Sequence, residues 1–405
     1  MKYLVSSVVV MTAAGIAGVC SAQDFAALRA EVLKLEQLTA PPAYQVAEGF
    51  ENTPQLKAIY YDALPWKGKP TKVFAWLGIP RQREGKLPGM VLVHGGGGTA
   101  FKEWVERWNE RGYAAISIAV EGQIDRRDPN NPRAWQRHPW GGPARVGIYG
   151  DSDAPLKDQW MYHAVADTIL ANSLLRSLPE VDADKVGLMG ISWGGVITST
   201  VIGIDRRFAF AVPVYGCGHL ADIPNQYGAA LGQNKLYQEV WDPMVRLDRA
   251  TMPVLWFSWP EDQHFALDCQ ARCYHKAPGP HMVALVPGMR HGHGPGWQRP
   301  ESYVFADSVL EDGKPWCLQV EAGVRDGTAF CRFDSTRPLE SAQLVSTTDT
   351  GFTGARRWTI TPATVVREGD LWKASAALPS GTTAWFINVT SNGAVASSDF
   401  QETQP

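Results

Sequence analysis

Four short segments of this chain carry residue types that can act together on a carbonyl carbon. The first is Gly190-Ile191-Ser192-Trp193-Gly194-Gly195. An apolar run, Lys185 to Met189, precedes it and reads as a buried strand; Val196 to Ile202 follows and continues as a helix. Strand, G-x-S-x-G, helix is the pattern of a nucleophile held on a sharp turn. Such a turn needs small flanking residues because the backbone folds back on itself. Without partners it is only a tight turn, since a serine hydroxyl needs a base, and the base an orienting acid.

Around this turn the partners come later in the chain, acid first and histidine second, each after a strand. The strand Val254 to Ser258 leads into Trp259-Pro260-Glu261-Asp262-Gln263-His264. The strand Met282 to Val286 leads into Pro287-Gly288-Met289-Arg290-His291-Gly292-His293-Gly294. Loop position favours Asp262 over Glu261 as the acid and His291 over His293 as the base. The fourth segment is His94-Gly95-Gly96-Gly97-Gly98, directly after the strand Met90 to Val93. Glycines there let main-chain N–H groups approach an oxyanion. The expected donors are Trp193, which follows the nucleophile, and Gly96, Gly97 and Gly98. A phosphate cradle would want Gly-Lys-Ser or Gly-Lys-Thr, which is missing. The pair His291-Gly292-His293 also fits two metal ligands, but no carboxylate or Cys at recognisable spacing completes a site. No metal and no other cofactor is expected.

His94, Trp160, His264 and Trp297 are the candidate substrate contacts. Aromatics near these loops can stack on sugar rings or aryl groups, or simply fill the core. Arg126, Arg127, Arg133 and Arg145, in a long Gly-, Pro- and Arg-rich loop from Glu121 to about Pro155, can meet a carboxylate or form a solvated face.

The elements that must position these residues follow from the hydrophobic pattern. Phe25 to Leu38 is an amphipathic helix, and Leu56 to Tyr61 and Thr71 to Leu77 are antiparallel strands. Continuous apolar strands then alternate with helices: 90–93, helix 101–111, 114–120, helix 159–178, 185–189, 209–214, 254–258, helix 262–274, 282–286 and helix 301–310. That alternation predicts an α/β fold, a mostly parallel sheet with helices on both faces. After about Lys314 short alternating runs separated by turn residues predict an all-β, sandwich-like module. The expected organisation is a leader over 1–22, a catalytic domain over 23–313 and an accessory domain over 314–405.

The leader reading rests on Met1-Lys2, an apolar stretch to Val19 and a small-residue exit at Cys20-Ser21-Ala22. It implies a secreted or periplasmic product, free of the membrane once the leader is removed. The net charge of −3, from 38 Lys and Arg against 41 Asp and Glu, without basic clusters, excludes a nucleic-acid footprint. Five cysteines follow the leader. Cys317 and Cys331 flank one hairpin and are the first candidate disulfide in an oxidising compartment.

The stretches HGGGGTAFKEWVERWNERGY at 94–113, GISWGG at 190–195, RFAFAVPVYGCG at 207–218 and PGMRHGHGPGW at 287–297 resemble the α/β-hydrolases. Within these, they resemble the secreted bacterial esterases of the acetylxylan-esterase-like and dienelactone-hydrolase-like type. The resemblance runs from about residue 56 to 312, and the all-β tail is similar to the appended domain of such proteins. It implies a Ser192, Asp262 and His291 triad. One departure is local: Trp259 and Pro260 stand where relatives often have an Asn- and Gly-rich turn, which changes the wall beside the acid. The implied activity is hydrolysis of an ester through an acyl-enzyme, on a carbohydrate or plant-derived ester, polysaccharide included. Two other readings stay open. A serine peptidase of prolyl-oligopeptidase type would normally carry a long propeller, which this chain lacks. A non-catalytic binding protein on the same fold would not need Ser, Asp and His in order.

Overall fold

The computed structural model describes residues 24–81 and 85–403. The expected leader lies outside them. Among the described residues no helix is long and apolar enough to cross a membrane.

Helix α1 (Phe25–Leu33) runs into a 3-10 turn and buries Val32 and Leu35. Strands β1 (Tyr44–Val46), β2 (Leu56–Trp66) and β3 (Lys69–Gly78) form the antiparallel start. Then come β4 (Leu87–Val93), α2 (Lys102–Glu110), β5 (Ala114–Ile118), β6 (Gln123–Asp128), β7 (Asn131–Arg137), α3 (Trp160–Ser177), β8 (Val181–Ile191) and α4 (Trp193–Val201). They are followed by β9 (Phe210–Val214), α5 (Gln226–Leu231), β10 (Val254–Ser258), α6 (Leu267–Lys276), β11 (His281–Leu285), α7 (His293–Gln298) and α8 (Glu301–Asp312). The sheet runs β1-β2-β3-β5-β4-β8-β9-β10-β11. From β5 to β11 every neighbour is parallel, which suits strands buried on both faces. Helix α3 is buried from Trp160 to Leu175, its polar His163, Asp167, Thr168, Asn172 and Ser173 included, so it is covered on all sides.

Two of the differences from the sequence expectation bear on the site. The long loop after β5 contains the antiparallel hairpin β6–β7; its charged residues and Pro132 hide the strand period. The helix expected from Asp262 begins only at Leu267. Asp262 Oδ1 accepts the N–H groups of His264 and Phe265, at 2.8 and 3.0 Å, and this Asx-type turn displaces the first helical turn.

The C-terminal strands are β12 (Cys317–Arg325), β13 (Thr328–Ser335), β14 (Ser341–Thr347), β15 (Thr359–Glu368), β16 (Leu371–Ala377), β17 (Ala384–Ser391), β18 (Ala394–Ser397) and β19 (Gln401–Glu402). They make two sheets that share β15: its first half pairs with β14 and its second with β16. One of these sheets is not separate from the catalytic one. Strand β18 pairs antiparallel with β11, setting Val283 opposite Ser397, and β17 and β14 follow outward. Cys317 and Cys331 are unbridged. They lie on one hairpin as expected, but the register sets Cys317 opposite Ser335 and Cys331 opposite Ala322. Four residues along a strand span about 13 Å, beyond the reach of a disulfide.

Candidate active site

Ser192 stands between β8 and α4 at φ 59° and ψ −115°, a strained conformation for a residue with a Cβ. Close backbone crossings hold it there. A Cβ on Gly190 would collide with Gly194 O, and one on Gly194 with Val93 O. Ser192 N–H is fixed by Val214 O at 2.9 Å. The hydroxyl therefore points out of the crossing toward the loops after β10 and β11.

Those loops deliver the partners. His291 Nε2 lies 2.9 Å from Ser192 Oγ, and His291 Nδ1 lies 2.8 Å from Asp262 Oδ2. Asp262 is buried and Glu261 is exposed, so burial selects the same carboxylate that loop position favours. The imidazole of His291 packs beside two rings, with Tyr215 4.3 Å and Phe265 5.9 Å from it between centroids. Tyr215 Oη also donates to Arg290 O at 2.8 Å, which anchors the base loop. Phe265 carries no sequence signal; it is placed by the turn that Asp262 caps.

His293 does a different job. Gly95 N–H donates to His293 Nε2 at 2.9 Å, so this nitrogen is an acceptor. Burial pushes the His293 pKa down to about 4, which keeps that acceptor unprotonated. His94 is tied to the same loop, with Nδ1 2.7 Å from Gly95 O and Nε2 accepting Val120 N–H at 3.1 Å. Burial likewise pushes His94 down to about 4. His94 is thus a buried brace and not a substrate contact.

The Gly-rich loop closes by Gly98 N–H to Gly95 O, 3.0 Å, with Gly97 at φ +70°. Gly98 spends its N–H on that turn and drops out as an oxyanion donor. Gly97 is exposed at the corner. The Gly95–Gly96 peptide lies against the nucleophile: a Cβ on Gly95 would sit 2.9 Å from Ser192 Cβ, and one on Gly96 3.0 Å from Trp193 Cδ1. Trp193 N–H opens α4 and has no intrahelical acceptor. Hairpin β6–β7 reaches this loop as well, where Trp135 Nε1 donates to Gly97 O at 2.8 Å.

The family described as acetyl xylan esterase (AXE1) matches residues 21–249, more than half of the chain. The chain belongs to the acetyl xylan esterase family. It is a carboxylic ester hydrolase of the serine type. Among solved structures it is similar to acetyl xylan esterase 1 from a Thermoanaerobacterium species, at 18% identity and TM-score 0.53, over 67% of this chain and 89% of that one. It is also similar to an acetyl xylan esterase from a Paenibacillus species, at 21% identity and TM-score 0.49, over 67% and 90%. A Pyrococcus horikoshii acylaminoacyl peptidase aligns at 17% identity and TM-score 0.47, over 63% and 42%. No curated protein sequence matches. The first of these likenesses shows the α/β-hydrolase fold. The family match includes the Gly-rich loop and the Ser192 turn but ends before Asp262 and His291, whose grouping rests on geometry.

In this esterase the other expected substrate contacts separate by depth. Trp160 is buried, packs edge-on against Trp193 at 5.6 Å and donates Nε1 to Val120 O at 2.7 Å. Trp297 is buried and stacks on Trp104 at 5.3 Å. Both are packing beneath the site. His264 is exposed, 4.8 Å from the His291 ring, and faces Gln226 at 2.6 Å. Of the four arginines, Arg145 lies beside the nucleophile, 4.9 Å from the Trp193 ring and paired with Glu121 at 3.3 Å. Arg126 bonds Gly49 O and sits over Phe50; Arg127 covers Trp135.

Proposed function

We propose that this esterase removes acyl groups, acetyl foremost, from carbohydrate after export. The observation that carries the mechanism is the unbroken relay Ser192 Oγ, His291, Asp262, with both links inside 3 Å. His291 Nε2 takes the serine proton as Oγ attacks the ester carbonyl. Asp262 holds the Nδ1–H tautomer and stabilises the imidazolium. The N–H groups of Trp193 and Gly96 face the developing oxyanion, a contribution of about 3–4 kcal/mol per donor in such sites. His291 then protonates the departing alcohol, and water activated by the same nitrogen releases the acid. The acetyl ester of a sugar as substrate is supported by the family description; Arg145, held over the buried Trp193 ring, offers a cation beside the bond to be cut.

A fluorophosphonate probe tests the nucleophile: labelling at Ser192 that disappears in Ser192→Ala is expected, and labelling elsewhere overturns the relay. Acetylated xylan, methyl glucuronate and feruloyl esters, compared as substrates, test the specificity. Acetate release from xylan is expected to dominate. A preference for a proline-amide substrate would replace the esterase reading with a peptidase.

A further inference from the structure

A second cluster of chemically competent side chains lies where the catalytic sheet meets the C-terminal strands. His275 is in the last turn of α6, His281 opens β11, and Asp399 follows β18. His281 Nε2 lies 3.0 Å from Asp399 Oδ1 and His275 Nε2 lies 3.9 Å from Asp399 Oδ2. One ligand atom from each residue falls within 4.8 Å of the other two. We propose that these three residues bind one dication of the zinc class, which clamps the C-terminal strands to α6 and β11.

Three physical features favour a metal over a simple His–Asp pair. Two imidazoles and one carboxylate form a donor set that suits Zn²⁺ and its late-transition neighbours and does not suit Mg²⁺ or Ca²⁺. Bonds of about 2.0–2.1 Å in a tetrahedron put ligand atoms roughly 3.3 Å apart. His281 and Asp399 are already at that spacing, and His275 is exposed, free to close the remaining gap by a rotamer adjustment. The open fourth position then faces water. The surroundings also fix the ligands. The Tyr274 ring stacks on His281 at 5.0 Å and 23°, and Tyr274 Oη accepts the N–H of Phe400 at 2.9 Å. Asp399 N–H donates to Gln319 Oε1 at 2.8 Å. Such outer partners orient metal ligands. The C-terminal end of α6 adds partial negative charge beside His275.

The test uses the full mature chain, stripped with a chelator and dialysed. Zn²⁺ is titrated by calorimetry, and thermal melts are recorded with and without Zn²⁺. One Zn²⁺ per chain and a raised Tm are expected. His275→Gln and His281→Gln should each weaken binding roughly tenfold or more and abolish the Tm rise. Metal-free melting of the exposed His275→Gln variant should match the wild type, and its ester hydrolysis should be unchanged. Absence of saturable binding overturns the proposal. So does binding that survives in both variants, or that is lost instead in His264→Gln, which would place the ion at the mouth of the Ser192 site.

Discussion

At the scale of single residues, the two histidines of His291-Gly292-His293 are chemically alike and do opposite things. One shares its Nε2 with Ser192 Oγ; the other gives its Nε2 to the Gly95 N–H. Replacing His291 or Ser192 by Ala should therefore lower kcat on 4-nitrophenyl acetate by about 10⁴–10⁶, and Asp262→Asn by about 10⁴. Glu261→Gln should leave kcat within about twofold, as a surface change away from the relay. His293→Gln should lower kcat by no more than the roughly 10²–10³ that a misplaced oxyanion donor costs, and Ser192 should still take the fluorophosphonate label. His94 and His293 also make stability depend on pH. Burial holds both near pKa 4 in the folded chain, against about 6.5 unfolded. The unfolded state then binds more protons between these values, so stability is full above pH 6.5 and falls as pH drops toward 4. Urea unfolding at pH 7, 5.5 and 4 should show this decline, and His293→Gln should flatten it. The order of Ser192, Asp262 and His291 was legible because each follows a strand. The work of His293 was not, because its partner is a backbone amide far away in the chain.

At the scale of elements, part of what positions the acid comes from outside the catalytic sheet. The 3-10 turn Thr353–Ala355, between β14 and β15, packs on the loop after β10. Leu267 N–H donates to Thr353 Oγ1 at 3.0 Å, and a Cβ on Gly354 would collide with Asp262 O. Gly354→Ala should therefore displace Asp262, cost about 1–3 kcal/mol by overpacking and lower kcat at nearly constant KM. Gly323→Ala, where the nearest atom is a ring carbon at an ordinary 3.5 Å, is the control and should leave kcat unchanged. Melts and steady-state kinetics on the two variants separate the effects. No local pattern in Thr353-Gly354-Ala355 announces this role, since the contact is non-local. The parallel strands were readable because both faces are buried and the runs are continuously apolar. Hairpin β6–β7 was not, because polar residues such as Arg126, Arg127 and Arg133 occupy its exposed positions.

At the scale of the whole molecule, the change of texture near Lys314 does not mark a change of packing. The sequence shows alternating runs beginning there, and the all-β character is real. Which strand pairs with which depends on contacts far apart in sequence, and these join the two parts. Leu285 N–H donates to Ser397 Oγ at 2.8 Å, and Asn388 Nδ2 donates to Leu285 O at 2.9 Å. Glu301, whose carboxylate is buried, accepts from Val395 N–H at 3.3 Å and pairs with Arg299 at 3.1 Å. A chain ending at Gly313 would strip β18 from β11 and expose an unpaired apolar edge, the kind of edge that templates aggregation. It would also leave the acid loop without Thr353. The truncated chain is therefore expected to aggregate on expression, and any soluble fraction to melt without cooperativity and to hydrolyse 4-nitrophenyl acetate at less than about a hundredth of the full-length rate, the scale of loss a misplaced catalytic group produces. A soluble fragment with a sharp melt and full activity would show instead that β11 tolerates solvent and that the C-terminal strands are an independent appendage.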